Sequence, residues 1–466
     1  MRNAKWSELL QASGVPSPLE VRDASEVPEG ARLVVYDGPV AAAPTAPERA
    51  VLVIVRGAAR PARELRWGAL VVPLVGFDVT PLVLEEGERV VATDDAGQVI
   101  AALRSFQGAV RVRLGIDLAE ALWRLRYGSP SNADRDVDRN GALQPADLAP
   151  VLPAEAIARP FADELLAAIL ADLDRSLACP LPRTRGLPEG VDSLLVVTSD
   201  QDFADDAAVL SMAEALALRG ARATFLLTEP SIGLPADLNV GTRGAPRLDP
   251  ETANALLAAG HDVSVHPFPR DAGDVVRHID YIAQRHGLSP LIARNHHLRW
   301  FGYLDIPRAE AARGVALNLD TMPVGDGTRP CVGFPGGASQ PVMFVGDDGS
   351  RVPLLQQTTS VDDYSLRVRD YSQLAQAATL LSTAARRTIA AARAAQVPVV
   401  LNAHPIFYRF APGWLGAVLD APDLHAVSAT DWLAFVINRR AARIPAARCG
   451  QPVVPTLRSG VALRSM

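Results

Sequence analysis

The sequence predicts an α/β protein with two units, a small N-terminal α/β domain and a larger C-terminal unit built on a mostly parallel sheet, either open or closed as a barrel. Short apolar runs typical of buried strands alternate with helix-compatible runs along most of the chain. A stretch rich in Pro, Gly and Arg at 180–188 interrupts this alternation, as domain boundaries commonly do. At 466 residues the chain also exceeds the length of one ordinary domain.

Composition excludes several classes of protein. With 48% hydrophobic and 21% charged residues, the chain is typical of a soluble globular protein and not of a disordered one. A net charge of −6 gives no general attraction for nucleic acid or anionic membranes. The N-terminus lacks the apolar core of a signal peptide, and no apolar run approaches the roughly 20 residues of a spanning helix. We therefore expect a leaderless, cytoplasmic protein without a membrane span, and the oligomeric state stays open.

The three cysteines are far apart in the sequence. Cys179, Cys331 and Cys449 form no CxxC pair and no even-numbered framework. Their spacing predicts neither a cysteine-ligated zinc site nor a disulfide scaffold.

The N-terminal domain is predicted to span 1–128. Near-continuous apolar strands are expected at 32–36, 50–55 and 69–72. A hairpin is expected from 89–93 and 98–103, which flank a turn with Asp and Gly, and a helix from 115–126. This unit contains no histidine or cysteine, so the sequence predicts no nucleophile or metal cluster in it.

A connector follows at 129–190, with an acidic loop, a helix at about 160–177 and the Pro-rich linker. The acidic loop fits the calcium-binding EF-hand pattern with Asp136, Asp138, Asn140 and Asp147 as ligands, although Asp stands where a Glu is usual. A proline inside the loop and the early end of the preceding helix favour the alternative, an Asn-Gly surface turn. Both interpretations stay open.

The C-terminal unit, at 191–466, shows the strongest strand–helix alternation. Strands are predicted at 194–198, 223–227, 291–293, 315–319, 398–401 and in a pair within 341–357. Helices are predicted at 205–218, 249–260, 273–285, 309–314, 371–395 and 429–439.

All eight histidines lie between His261 and His425, in the C-terminal half of the chain. Four of them follow predicted strands, and the carboxyl ends of parallel strands are where such folds build their sites: His266, His296, His297 and His404. Core packing is the alternative for each. Because neighbouring residues on a strand point in opposite directions, we expect at most one of the adjacent pair, His296 and His297, to face a pocket. Trp300, close to this pair, suits either a sugar ring or the core.

Two carboxylates follow the first strand of this unit. Asp200 and Asp202 are two residues apart, which places them on the same side of an extended chain. One could bind a divalent cation while the other takes a proton from water. The alternative is a helix N-terminus, where acids stabilise the dipole.

These motifs resemble the polysaccharide deacetylases of the NodB type, carbohydrate esterase family 4. Thr198-Ser-Asp-Gln-Asp202 is similar to the family's Thr-Phe-Asp-Asp-Gly, with Gln201 in the metal-ligand place and Asp202 one residue further. His266 matches one histidine of the His-x-x-x-His motif, and Arg270 stands in place of the second.

Two later motifs extend the resemblance. Arg294-Asn-His296 resembles the Arg-Thr-His of a divergent branch, which offers His296 as a replacement ligand. Leu401-Asn-Ala-His404 matches the Leu-x-x-His motif, whose histidine is the general acid.

The resemblance implies a distorted (β/α) barrel and a metal-dependent hydrolase that deacetylates an N- or O-acetylated carbohydrate or a small acetylated substrate. The implied site has a divalent metal, expected to be zinc, held by Asp202, His266 and His296. Asp200 and His404 would be catalytic base and acid, and the substrate would meet Arg294, Trp300 and Asp320.

Two other functions stay open: a carbohydrate-binding relative that keeps the pocket without catalysis, and an amidase acting on another non-peptide C–N bond. In the same branch a domain resembling glutamine amidotransferases can precede the deacetylase domain. The predicted N-terminal unit fits it, and its lack of cysteine argues against amidotransferase activity.

Overall fold

In the computed structural model the described residues are 4–15, 19–21, 31–37, 43, 49–137, 139, 141–202, 204–228, 248–323, 330–367 and 371–442. They form two sheets with helices packed against them. The α/β class predicted from the strand–helix alternation is confirmed.

An eight-stranded mixed sheet forms the N-terminal unit, in the order β1-β2-β3-β8-β7-β6-β4-β5. It is parallel from β1 to β8 and antiparallel from β8 to β5. Its strands are β1 Leu19–Val21, β2 Leu33–Tyr36, β3 Ala50–Ile54, β4 Arg60–Trp67, β5 Leu70–Val79, β6 Arg89–Asp94, β7 Val99–Phe106 and β8 Ala109–Leu114.

The predicted hairpin in this unit is confirmed as β6 and β7. The predicted strand at 69–72 is only the start of β5, an edge strand whose burial alternates instead of being continuous. Its partner β4 was not predicted, because a strand with Pro and several charged residues carries no continuous apolar run.

A curled, mostly parallel sheet forms the C-terminal unit, in the order β14-β17-β18-β9-β10-β11-β12-β13-β16-β15. β19 pairs with the first half of β9, and β10 pairs with its end. The strands are β9 Ser193–Asp200, β10 Thr224–Leu227, β11 Asp262–Val265, β12 Ile292–Ala293, β13 Leu317–Asn318, β14 Cys331–Val332, β15 Val342–Val345, β16 Arg351–Gln356, β17 Val361–Asp362, β18 Val399–Asn402 and β19 Leu424–Ser428.

Helices lie along both units and the connector. They are α1 Ala4–Ala12, α2 Leu118–Tyr127, α3 Pro145–Leu148, α4 Ala154–Ile157, α5 Phe161–Ser176, α6 Asp206–Ala217, α7 Pro250–Ala258, α8 Ala272–His286, α9 Asp305–Ala311, α10 Leu374–Ala395, α11 Pro405–Phe410, α12 Gly413–Leu419 and α13 Ala429–Ala441. No helix among the described residues is both long and apolar enough to cross a membrane.

The central strand β9 is buried along its whole length, as its run of Leu and Val requires. Because β17, β18 and β9 to β13 run parallel, their carboxyl ends meet at one edge of the sheet. The polar residues that follow these strands therefore come together.

Helix α2 of the N-terminal unit makes hydrogen bonds to the C-terminal sheet. The buried Arg126 guanidinium donates to the carbonyl of Gln340 at 2.8 Å and to the carbonyl and side-chain oxygens of Gln356 at 2.9–3.1 Å. Gly336 allows the close approach, since a Cβ there would lie 2.5 Å from the Arg126 Cα. The contact joins residues more than 200 positions apart.

The cysteine expectation needs a correction. Cys179, in the connector, is disulfide-bonded, and Cys331 is buried on β14. Cys449 lies outside the described residues. Separation along the sequence was a poor guide, because a folded chain brings distant segments together.

Candidate active site

A cavity of about 340 Å³ opens at the carboxyl ends of the central parallel strands. Most of its polar walls come from residues that end or directly follow β9, β11, β12, β17 and β18. The lining residues are Ala142, Gln144, Asp200, Asp202, His266, Arg294, Asn295, His296, His297, Leu298, Met322, Pro323, Cys331, Asp362, Tyr364 and His404.

Asp202 faces this cavity and Gln201 does not. The Gln201 Oε1 accepts the Thr228 N–H at 3.1 Å, and its Nε2 donates to the Ala204 carbonyl at 3.3 Å. Asp202 follows with left-handed backbone, φ 46°, a conformation that Asp tolerates better than most residues. Asp200 and Asp202 face the same cavity because of this turn. The extended chain that was expected to place them there ends at Asp200. The alternative role as a helix cap belongs to Asp205, whose side chain accepts the Ala208 N–H.

The orientation of the His266 ring is fixed by the backbone. Its Nδ1 lies 2.7 Å from the Arg294 carbonyl oxygen, which can only accept, so Nδ1 carries a proton. Its Nε2 lies 3.0 Å from Asp202 Oδ1. Arg270, which stands where the resemblance expects a second histidine, pairs instead with Asp274 at 2.6 Å and does not line the cavity.

His296 and His297 both line the cavity, which contradicts the expectation that at most one would do so. Their rings stack at 4.3 Å between centroids with 8° between planes. The expectation assumed a strand, but the segment His296–Leu298 is a tight 3₁₀ turn in which His297 has left-handed backbone, φ 56°. Phe268 packs edge-on against His296 at 4.8 Å.

The donor set of Asp202, His266 and His296 fits a divalent cation of the zinc class. One ligand atom from each lies within 4.8 Å of the others, and all three side chains are largely buried. With its proton on Nδ1, a neutral His266 presents a lone pair to the Asp202 carboxylate. This repulsion is relieved by a proton on Nε2 or by a cation shared between the two groups.

The charged groups around the cavity shift one another's pKa values. Burial alone would raise the pKa of Asp202, but His296, His404 and His266 hold it well below its ordinary value. Burial alone would lower the pKa of His266, and the carboxylates of Asp200 and Asp202 outweigh it and raise that pKa. Burial holds the pKa of His296 well below its ordinary value, although Asp202 opposes it. The lowered pKa of His296 favours the neutral imidazole, which is the form that binds a metal.

Asp200 is held in place by two side-chain donors. The buried Arg294 guanidinium donates to its Oδ1 at 2.8 Å, and Asn402 donates to its Oδ2 at 3.0 Å. Arg294 also donates to Thr198 at 3.0 Å and Thr359 at 2.8 Å. These bonds give Arg294 a clear role in fixing Asp200, which differs from the predicted substrate contact.

His404 faces both carboxylates and is oriented by Asp363, which the sequence analysis did not single out. Its Nε2 lies 3.4 Å from Asp202 Oδ2 and 3.9 Å from Asp200 Oδ2. Its Nδ1 lies 2.5 Å from Asp363 Oδ1, and the other Asp363 oxygen accepts the His404 N–H at 2.9 Å. Burial alone would lower the pKa of His404, but Asp363 and Asp202 raise it well above its ordinary value.

Asp362, Asp363 and His404 form a second cluster with the spacing of a metal site. Asp362 accepts hydrogen bonds from the Tyr364 N–H and from Asn402, and both Asp363 oxygens contact His404. Hydrogen bonding thus accounts for this cluster. The sequence signal was the pair of adjacent acids Asp362-Asp363, at the end of a short strand.

Two predicted substrate contacts are not supported. Trp300 is buried against Phe344 at 5.7 Å and does not line the cavity. Asp320 is fully buried behind Asn295, whose backbone and side-chain N–H groups donate to its two oxygens at 2.6 Å.

The calcium prediction falls partly outside the described residues, which do not include Asp138 and Asn140. Asp136 accepts the Gly141 N–H at 2.9 Å. Asp147 accepts the N–H groups of Val137 and Gln144 at 2.8 and 2.9 Å. Calcium binding there stays a prediction.

Solved structures of one family align with about half of this chain. This chain is similar to carbohydrate esterase family 4 polysaccharide deacetylases. A polysaccharide deacetylase-type protein of Mycobacterium smegmatis aligns over 57% of this chain and 98% of its own, with 16% identity and a TM-score of 0.39. The polysaccharide deacetylase Bc1974 of Bacillus cereus aligns over 49% and 85%, with 15% identity and a TM-score of 0.29.

A third match is the Bacillus anthracis protein BA3943, a pseudoenzyme of the same family, over 56% of this chain and 70% of its own, with 11% identity and a TM-score of 0.33. No family model and no curated protein matches the chain. The resemblance drawn from the motifs and these matches name the same family. At such identities and TM-scores the likeness carries no information about activity.

Proposed function

We propose that this chain is a metal-dependent hydrolase that removes acetyl groups from N- or O-acetylated carbohydrate. The observation that carries the proposal is the division of roles around one cavity. Three side chains offer metal donors, a separate carboxylate is held by Arg294, and a separate histidine is held by Asp363.

Asp202, His266 and His296 would hold the ion, for which zinc is the proposed metal. When bound, such a cation polarises a carbonyl group and lowers the pKa of water. The Nδ1–H bond from His266 to the Arg294 carbonyl leaves its Nε2 available as a donor atom, a common arrangement for metal-binding histidines.

Asp200 acts as the general base. It lines the cavity, and Arg294 and Asn402 fix both of its oxygens at the edge where water would attack. The proton of the attacking water passes to Asp200 as the new bond to the acyl carbon forms.

His404 acts as the general acid. Asp363 keeps its ring in one orientation and favours its protonated form, so His404 can give its Nε2 proton to the departing amine or alcohol. The bond from the acyl carbon to nitrogen or oxygen breaks in this step.

Acetate release from N-acetylated chitooligosaccharides and O-acetylated xylan, with and without added zinc, tests the proposal. We expect zinc-dependent release that falls by about 10²–10⁴-fold in Asp200→Asn. Asp423→Asn is the matched control, because that carboxylate is exposed and its left-handed backbone accepts Asn. Sugar binding without any hydrolysis would instead indicate the non-catalytic relative, and release of another acyl group from nitrogen would indicate the amidase.

The division into units at 1–128, 129–190 and 191–466 is proposed together with this function. So is the amidotransferase-like character of the first unit, and neither is needed for the chemistry of the cavity.

A further inference from the structure

The turn that carries His296 has an unusual backbone. His297 and Leu298 are consecutive residues with positive φ, 56° and 54°. Each such residue costs about 1 kcal/mol or more, so the conformation persists only where surrounding contacts hold it.

The segment after β11 holds this turn at its start, where the His296 N–H donates to the Pro267 carbonyl at 2.7 Å. The connector holds the rest. The Trp300 N–H donates to the Leu143 carbonyl at 2.8 Å, and the Gly302 N–H donates to the Asp134 carboxylate at 2.8 Å.

Gln144 makes the contact nearest to the cavity. Its Nε2 donates to the His297 carbonyl oxygen at 2.7 Å. That carbonyl belongs to the peptide joining the two left-handed residues, so the bond fixes the plane of this peptide. Gln144 and Ala142 also line the cavity beside the stacked histidines.

We propose that the connector is a structural part of the catalytic pocket and that Gln144 is a positioning residue for the metal ligand His296. The proposal rests on the proposed function for the role of His296 as a ligand. Without the Gln144 bond the turn relaxes toward ordinary backbone angles, and the imidazole moves away from Asp202 and His266.

The test compares Gln144→Met, which keeps the side-chain length and removes the donor, with Gln376→Met on the exposed face of α10. Zinc affinity of the full chain is measured by competition with a chelating indicator, and the cobalt-substituted protein gives an absorption spectrum of the ligand field. We expect Gln144→Met to weaken zinc binding by about 10–100-fold and to change the cobalt spectrum. Gln376→Met should leave both unchanged.

Amide hydrogen exchange of the metal-free proteins is the second measurement. In Gln144→Met we expect faster exchange in peptides covering 296–302 and unchanged exchange in peptides covering β9 to β11. Unchanged zinc affinity together with unchanged exchange at 296–302 would overturn the positioning role. If the parent binds no zinc, the proposed function fails, and the exchange result alone then decides whether Gln144 holds the turn.

Discussion

At the cavity edge, two carboxylates separated by one residue have different hydrogen-bond partners. Asp200 is fixed by Arg294 and Asn402, whereas Asp202 contacts histidines, with His266 Nε2 at 3.0 Å from its Oδ1. A base must be held where it can take a proton from water, while a ligand must face the other metal donors. In the proposed function the two chemically identical groups therefore have different roles.

Substitution of each carboxylate separates the roles. Asp202→Ala removes one of three donors and should abolish zinc binding, because the remaining two hold the ion poorly against water. Asp200→Ala should bind zinc and lose turnover. Zinc titration and acetate release on both variants check this, and tight zinc binding by Asp202→Ala would show that the ligand assignment is wrong.

The pair of His404 and Asp363 predicts a pH effect. A general acid must be protonated, and Asp363 raises the pKa of His404, so activity should persist to higher pH than an ordinary histidine allows. In Asp363→Asn that pKa falls, and the alkaline limb of the profile of kcat/KM against pH should move to lower pH by about one unit or more. A limb that stays at the same pH would exclude His404 as the acid that Asp363 controls.

At the scale of elements, helix α8 contacts a residue that packs against the cavity histidine His296. His278 on this helix is buried, and its Nδ1 accepts the N–H of Phe268 at 3.0 Å. Phe268 in turn packs against the ring of His296. Burial, with Arg277 and Arg270 nearby, lowers the pKa of His278 to about 4. The folded state therefore needs this histidine neutral.

The stability that His278 contributes is present above its ordinary pKa of 6.5 and is lost as pH falls toward 4. Between pH 7 and pH 5 the free energy of unfolding should drop by about 2 kcal/mol from this group alone. In His278→Asn, which keeps an acceptor but does not titrate, urea unfolding at the two pH values should show a drop smaller by that amount. Equal pH dependence in both proteins would contradict the assignment.

The elements also show where sequence reasoning works. Apolar runs and caps predict many of the strands and helices of the C-terminal unit, such as α8 with Asp271 at its start and Gly287 at its end. They do not predict the short strands β14 and β17. The convergence of Asp200, Asp202, His266, His296 and His404 follows from the parallel order of their strands. Local pattern could not supply the left-handed turns at Asp202 and His297, because tertiary contacts such as the one from Gln144 sustain them.

For the whole molecule, the contact between the units combines a continuous hydrophobic core with several buried polar bonds. Arg126 supplies the N–H groups for the oxygens of Gln340 and Gln356, and Tyr127 adds its hydroxyl to the Gln356 side chain at 3.0 Å. Removal of the guanidinium would leave the Gln340 and Gln356 oxygens buried without this hydrogen-bond donor. The connector that leads from this contact also forms one wall of the cavity, so the site depends on how the units meet.

Arg126→Met should lower the free energy of unfolding by about 3 kcal/mol, because bonds from a charged donor are lost and buried acceptors remain. Arg124→Met on the same helix is the control. Its half-exposed side chain pairs with Glu120 one turn earlier, and the change should cost less than about 0.5 kcal/mol. Scanning calorimetry of the two variants measures the difference. Equal transition temperatures for the two variants would show that the buried contact does not hold the units together.

Zinc titration of the metal-free full chain tests the central claim most directly. We predict one ion per chain, bound by the parent and by His425→Ala, whose histidine is exposed on β19, and lost in His296→Ala. No binding by the parent, or equal binding by the parent and His296→Ala, would contradict a metal site built from Asp202, His266 and His296.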